Sequence, residues 1–358
     1  MFDFRSDTVT QPTPEMLEAM RTAPVGDDVF RDDPTVDKLE EQVAGLMGKE
    51  AAMFVASGTM SNQLALRVHI GALEEVVCDY RAHIHCWEVG ALHASGAAVA
   101  PIVPDPGERF LTPAAIEMGA RTSHTLYHHA QTKLLSLENT LNGEVMPIEQ
   151  LEATCATARQ LGLACHLDGA RLWNAIAATG HTPERYAAPF DTVSVCFSKG
   201  LGAPIGSVLV GSAEHIERAR HYRKWMGGGW RQAGFLAAAC LHALDHHRER
   251  LVEDHETAAE LARGLETLGF TIEPPQTNMV WCSPPPDLPA DAFNGIVDAL
   301  AKEDGVVVGG AYGGPTGRHP FGDAGRAIRF VTHLQTPRAT AAKALLSGLA
   351  RLLKARPR

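Results

Sequence analysis

Phe197-Ser198-Lys199-Gly200-Leu201-Gly202 sets one lysine between two strands. Ahead of it, Asp191 to Phe197 (DTVSVCF) is apolar or small at most positions and β-branched at three, the composition of a buried strand. Behind it, Gly200, Gly202 and Pro204 break the chain, and Ile205 to Val210 reads as a second strand. Lys199 is therefore offered at a strand tip, with glycines clearing the space around it. An ammonium group is costly to desolvate and is seldom buried without a partner. Taken alone, Ser-Lys-Gly describes a solvated lysine in a hairpin turn as well as a functional one.

A second stretch changes that balance. His166-Leu167-Asp168-Gly169-Ala170-Arg171 is a strand end that delivers an acid, a glycine and an arginine. Lysine, aspartate and arginine at neighbouring strand ends are the set that pyridoxal phosphate (PLP) chemistry needs. The amine takes the cofactor aldehyde, the carboxylate keeps the pyridine nitrogen protonated, and a guanidinium binds a substrate carboxylate through two hydrogen bonds. Two arginines offer that last service, Arg171 and Arg329, the latter between Ile328 and Phe330 in a strand-like run.

The surrounding pattern suits such a site. Short apolar runs at 51–56, 76–79, 96–103, 132–138, 164–168, 191–197 and 205–210 are mostly separated by helical stretches, with polar residues at their C-terminal ends. That predicts an α/β fold with a mostly parallel sheet, helices on both faces and binding at the strand tips. Helices are expected at 13–21, 36–47 (capped by Thr35), 57–70, 82–92, 113–118, 147–161, 213–222 and 231–268, with Gly227-Gly228-Gly229 separating the last two. From about Gly269 the texture shifts to short alternating strands and more proline. We expect an N-terminal arm at 1–20, a large PLP-binding domain at 21–250 and a smaller C-terminal α+β domain at 251–358.

Composition narrows the function classes. The 358 residues are 45% hydrophobic and 21% charged, ordinary for a globular chain with a large core. The net charge of −10 argues against a nucleic-acid partner, and no apolar run is long enough to span a membrane. The N-terminus lacks the basic flank and apolar segment of a signal peptide. Seven cysteines, scattered singly without CxxC or zinc spacing, fit free thiols in a reducing cytoplasm.

Two further stretches complete the candidate site. Ser57-Gly58-Thr59 lies between a strand and a helix, where unpaired N–H groups and the helix dipole favour a phosphate; simple helix capping is the alternative. His83, in Asp79-Tyr80-Arg81-Ala82-His83, also follows a strand. An imidazole there can stack on a pyridine ring and move protons near neutral pH, or it can merely cap a helix. His83-Ile84-His85 raises a rival, a metal-dependent hydrolase on a (β/α)₈ barrel. The expected helix at 82–92 opposes it, because residues two apart on a helix do not share a face. The separate C-terminal region opposes it too.

Ordered matches then run through nearly the whole chain: FRSDTVTQPT (4–13), VGDDVF and DPTVDKLE (25–40), GKEAAMFVASGTMSNQ (48–63), TKLLSLENT (132–140), HLDGARLWNA (166–175), SKGLGAPIGS (198–207), RKWMGGGWRQAG (223–234), TNM (277–279) and IRFVTH (328–333). In these the chain resembles the L-threonine aldolases of the PLP fold-type-I, aspartate aminotransferase-like superfamily. The resemblance implies that Lys199 carries the cofactor, that Asp168 pairs with its ring nitrogen, and that His83 stacks on the ring. It implies that Gly58 and Thr59 hold the phosphate, with Arg231 reaching it from a neighbouring subunit. Ser6, Arg171 and Arg329 would bind the amino-acid carboxylate, and His128 would lie near the substrate hydroxyl.

The reaction so implied is retro-aldol cleavage of a β-hydroxy-α-amino acid to glycine and an aldehyde, with no metal. The base is His83, His128 or a water they hold. β-Elimination and racemisation use the same lysine and aspartate and break a different bond. A homodimer or homotetramer with shared sites is expected. Three departures stand out: Leu141 where histidine usually follows ENT, Phe30 and Arg31 where tyrosine and glycine are usual, and a long Gly/Pro-rich stretch at 309–326. The first two suggest a less polar or bulkier pocket and an aryl side chain such as that of phenylserine.

Overall fold

The computed structural model describes residues 1–123, 127–310, 318–319, 322–323 and 327–355. Strand β1 (Phe2–Asp3) belongs to the N-terminal arm. The strands β2 (Ala51–Val55), β3 (Glu74–Asp79), β4 (Ala98–Ile102), β5 (Gln131–Glu138), β6 (Ala164–Gly169), β7 (Thr192–Cys196) and β8 (Ser207–Gly211) form one seven-stranded sheet. Its order is β2-β8-β7-β6-β5-β3-β4. Strand β8 runs antiparallel to both neighbours and the remaining pairs are parallel. β7 and β8 are buried along their whole length, as expected where helices cover both faces. The sheet is open, with edges at β2 and β4, so the barrel on which the hydrolase rival depended is not formed.

Helix ends follow local chemistry. Pro14–Thr22 starts at a proline, with Thr13 accepting from the Met16 N–H. Ser57 caps Gly58–His69 by accepting from the Met60 N–H. Three expectations need correction. The cap of the helix Pro34–Leu46 is Asp33, which accepts from the Thr35 and Val36 N–H groups, and Thr35 lies inside. Pro34 fits at the first helical position, so the helix starts two residues earlier than a Thr35 cap allows. The helix expected over 82–92 shrinks to His83–Cys86, because Val89 and Gly90 adopt left-handed backbone conformations that end it. The stretch 231–268 is two helices, Gly234–His246 and Leu251–Thr267. Helices at Leu172–Thr179 and Pro183–Ala187 were not anticipated.

Two apolar cores matter here. One packs under the sheet and includes Phe54, Leu135, Leu167, Val193 and Phe197. The other gathers Leu261, Leu265, Val280, Phe293, Phe330, Leu345 and Leu349 around the antiparallel strands Thr271–Glu273, Met279–Ser283 and Ile328–Val331. The N-terminal arm joins them. Phe4 is buried in the second core and β1 pairs with Val306–Val307, whereas Met16 and Met20 enter the first. Most of the stretch 309–326 lies outside the described residues.

Candidate active site

Lys199 follows β7, and its Nζ donates to Cys196 Sγ at 3.3 Å. The Lys199 carbonyl accepts from Thr10 Oγ1 at 2.9 Å, so the N-terminal arm is tied to the lysine's own peptide. Gly58, the first residue of the helix after β2, approaches closely: a Cβ there would stand 2.8 Å from Cys196 Sγ and 3.9 Å from Lys199 Nζ. Only glycine leaves this space open beside the amine. The N–H groups of Gly58 and Thr59 have no hydrogen-bond partner among the described residues, and they point outward at a helix N-terminus.

One turn further along the same helix face is Asn62, buried at 1% exposure. Its Nδ2 donates to Asp168 Oδ2 at 2.7 Å and to Glu88 Oε1 at 2.9 Å. Four helical residues advance about 6 Å, so one face of this helix meets the Lys199 amine at Gly58 and the Asp168 carboxylate one turn later at Asn62. Asp168 is the last residue but one of β6, and its Oδ1 accepts from the Ala170 N–H at 3.0 Å. His83 joins it: ligand-type atoms of His83, Glu88 and Asp168 lie within 4.8 Å of one another.

Several electrostatic partners here were not read from the sequence. Glu88 Oε1 accepts from His83 Nδ1 at 2.9 Å, and Glu88 Oε2 from Gln63 Nε2 at 2.6 Å. Burial lowers the His83 pKa, but the Glu88 hydrogen bond and the charges of Asp168 and Glu138 outweigh it, so the net shift is upward. Glu138 ends β5 in register with Asp168 on β6, and its Oε2 accepts from the His83 N–H at 2.8 Å. Burial and the neighbouring Asp168 charge push the Glu138 carboxyl up to about 8. The ENT motif contained Glu138, but nothing in it signalled that β5 and β6 would set two carboxyls side by side.

The arginines are placed unequally. Arg171 Nε and Nη2 donate to the two oxygens of buried Asp7 at 2.8 and 2.6 Å. Burial raises the Asp7 pKa, yet Arg171 and then Lys199 hold it well below the usual carboxylate range. One edge of Arg171 is thus committed within the protein. Its Nη1 has no partner among the described residues. Arg329 lies over the Trp281 ring at 5.7 Å and donates from Nη2 to the Arg5 carbonyl, next to Ser6. Ser6 caps the short turn Asp7–Val9 by accepting from the Thr8 N–H. Arg231 is exposed and pairs with Asp27 at 3.1 Å. His128 is exposed in the turn before β5 and makes no hydrogen bond to the other candidates.

The chain matches the β-eliminating lyase family over residues 3–283. It is 43% identical to the low-specificity L-threonine aldolase of Escherichia coli K12 over 281 residues, 78% of this chain and 84% of that one. The chain belongs to the low-specificity L-threonine aldolase family. The Saccharomyces cerevisiae member is 44% identical over 283 residues, covering 78% of this chain and 73% of that one. The Leishmania major threonine aldolase shares the fold, with a TM-score of 0.81 at 23% identity, covering 99% of this chain and all of that one. The chain is therefore an enzyme of the lyase class. No helix among the described residues is long and apolar enough to cross a membrane.

Two departures from the aldolase pattern acquire a physical meaning. Arg31 has φ 59°, the left-handed region where glycine carries no penalty. Phe30 is 76% exposed beside it, whereas Leu141 is buried in the core under the sheet, paired through its backbone with Glu144.

Proposed function

We propose that this threonine aldolase family member binds pyridoxal 5′-phosphate and cleaves L-threonine, L-allo-threonine or a related β-hydroxy-α-amino acid to glycine and an aldehyde. One observation carries the reading: the helix Gly58–His69 sets Gly58 against the Lys199 amine and Asn62 against the Asp168 carboxylate, one turn apart. The residues fit the cofactor. Open N–H groups at Gly58 and Thr59 suit its phosphate, the space beside Gly58 suits its aldehyde end at Lys199 Nζ, and Asp168 suits its ring nitrogen. Bound there, the cofactor supplies the electron sink that lets the Cα–Cβ bond break.

The chain's own groups do the rest. The Nη1 side of Arg171, with Ser6 and Arg329, orients the amino-acid carboxylate and so sets which bond at Cα stands ready to break. Glu88 accepts the Nδ1 proton of His83, which leaves Nε2 as the atom that takes the β-hydroxyl proton, directly or through a water shared with His128. The departures at Phe30 and Leu141 from the family pattern are the ground for proposing that a larger, aryl side chain is accepted.

Exposed Val29 and Phe30, on the loop whose Asp27 pairs with Arg231, suit a subunit contact through which Arg231 reaches a neighbour's phosphate, in a homodimer or homotetramer. The free cysteines suit the cytoplasm. The two cores suit the division into an arm at 1–20, a PLP-binding domain at 21–250 and a small domain at 251–358.

The test is direct. Purified protein should carry a visible absorption band that borohydride abolishes by fixing the cofactor to Lys199, and should release glycine and aldehyde from threonine. Lys199→Ala should lose both. Protein without the band, or an active Lys199→Ala variant, overturns the proposal. Cleavage rates on threonine and phenylserine decide the side-chain question, and a strong preference for threonine removes the aryl reading. The match to β-eliminating lyases favours a second reading, in which serine yields pyruvate and ammonia; ammonia release exceeding glycine formation would select it.

A further inference from the structure

Behind Asp168 a chain of polar side chains runs away from the site through the protein interior. Asn62 Oδ1 lies 3.2 Å from His166 Nε2. His166 Nδ1 lies 2.9 Å from Thr192 Oγ1 and 3.2 Å from the Thr192 carbonyl. Thr192 Oγ1 in turn lies 3.0 Å from His69 Nε2. The His69 ring packs edge-on against His215, with centroids 4.6 Å apart. Asn62, His166 and Thr192 are at most 1% exposed. His166 and Thr192 are register partners on β6 and β7. Asn62 and His69 sit seven residues apart, two turns of one helix, so a single helix face supplies both ends of the chain.

The proton order along this chain follows from its first member. Asn62 Nδ2 faces two carboxylates, Asp168 and Glu88, so the amide must present its N–H groups there and its oxygen to His166. His166 Nε2 therefore carries a proton. Burial pushes the His166 pKa down to about 4, so near neutral pH the ring is uncharged and its Nδ1 is a lone pair. Nδ1 then cannot donate to the Thr192 carbonyl, and it accepts the Thr192 hydroxyl proton instead. With that proton committed, Thr192 Oγ1 accepts from His69 Nε2. Burial, followed by the nearby His215 and His166, pushes His69 down to about 3, so it too is neutral and has a proton to give from Nε2 alone. Every donor in the series points toward Asp168.

We propose that Asn62, His166, Thr192 and His69 form a one-directional hydrogen-bond relay that keeps Asp168 ionised and aimed at the cofactor's ring nitrogen. All four act as positioning residues; none reaches the reacting atoms. A series of aligned donors polarises its members cooperatively, which makes Asn62 a stronger donor than a lone amide. Of the other charged groups near Asp168, Glu138 and His83 bond to no member of the relay, whereas Glu88 also accepts from Asn62 Nδ2 and shares in any change at Thr192.

The relay rests on the cofactor assignment above, and Thr192 separates the two. Thr192→Val keeps shape and removes the hydroxyl; Thr192→Ser restores it. In Thr192→Val, His166 is released to turn its Nδ1–H toward the Thr192 carbonyl and its lone pair toward Asn62, which loosens Asp168. A weaker partner leaves the ring nitrogen less often protonated. The nitrogen joined to Lys199, with less positive charge beside it, then keeps its own proton to higher pH. The pH midpoint of the holoenzyme's visible absorption change should therefore rise by about half to one unit in Thr192→Val, and Thr192→Ser should match the unmodified enzyme. An unchanged or lowered midpoint in Thr192→Val, or an equal shift in Thr192→Ser, overturns the relay.

If Thr192→Val does not fold, ¹⁵N-histidine NMR of the unmodified chain decides. His166 and His69 should both be neutral with the proton on Nε2, and a proton on Nδ1 of either overturns the proposal. Those tautomers are readable without cofactor. A chain that never develops the lysine-linked band thus refutes the cofactor assignment and leaves the relay to be judged by NMR.

Discussion

The tips of β5 and β6 and the core beneath the C-terminal strands are held together by opposite means. At the tips, carboxylates are crowded: Asp168, Glu138, Glu88 and Asp7 are each engaged by N–H donors or a guanidinium. Beneath the C-terminal strands, a buried apolar cluster runs from Phe4 to Leu349. The first arrangement makes each group's protonation depend on its neighbours; the second makes each group's contribution depend on filled volume. A substitution at the tips should therefore change chemistry and leave the chain folded. One in the C-terminal core should change stability and leave the chemistry of folded molecules intact.

The strongest test of this contrast is Asp168→Asn, a change of charge with almost no change of volume. It should lower kcat by about 10²–10³-fold while leaving the melting temperature within a few degrees. An Asp168→Asn protein that melts far earlier yet keeps its turnover would break the contrast. On the other side stands Phe330→Ala. Phe330 is fully buried between neighbours from several elements, so its truncation should cost about 3–5 kcal/mol in denaturant titrations. The absorption band per folded molecule should stay unchanged.

The same contrast explains what could be read from the chain beforehand. Lys199, Asp168 and Gly58 were legible because each sits at a junction with its own local signature: a strand followed by glycines, or a strand running into a helix. The open parallel sheet was legible for the same reason. Glu138, Glu88, Asn62 and Asp7 were not. Their meaning comes from register between β5 and β6, from a helix face turned toward a strand end, and from an N-terminal arm that reaches Arg171 across 164 residues of sequence. The pairing of Arg171 with Asp7 has no local signature, because the two lie so far apart in the chain. The errors in helix ends were local ones. Asp33 and Thr35 both have capping chemistry, and Pro34 at the first helical position decides between them; residues 82–92 have helical composition, but Val89 and Gly90 turn left-handed.

Glu138→Gln sharpens the contrast from within the tips. Glu138 and Asp168 are neighbours in register, yet Asp168 receives an amide and a backbone N–H, and Glu138 is given one backbone N–H. With its folded pKa raised to about 8, Glu138 binds a proton more tightly in the native chain than in the unfolded one. That advantage is complete in acid, below the ordinary glutamate range, and is lost as pH rises through about 8. Glutamine can still accept from the His83 N–H but cannot ionise. The variant should therefore lose less stability than the parent between about pH 5 and 8, from the ordinary glutamate range up to the raised value. Its pH–rate profile should also lack any bend near pH 8 that Glu138 causes. Parallel stability curves for the two proteins would show that Glu138 is already ionised in the native chain at neutral pH.

The smallest expected effect lies outside both regions, where a departure from the family pattern can be weighed alone. Arg31 holds φ 59° on an exposed loop, and its ion pair to Glu217 at 3.6 Å is solvent-exposed at both ends. Such a pair contributes little, so the left-handed backbone decides the sign. A non-glycine residue loses about 1–2 kcal/mol there, and glycine recovers most of it while giving back about 0.5–1 kcal/mol in unfolded-chain entropy. Arg31→Gly should thus be neutral to stabilising by under about 1 kcal/mol, read as a small rise in melting temperature. If it destabilises instead, Arg31 is making a contact that the isolated chain lacks. The adjoining Phe30, exposed beside the Asp27–Arg231 pair, then marks this loop as the first place to look for a second subunit.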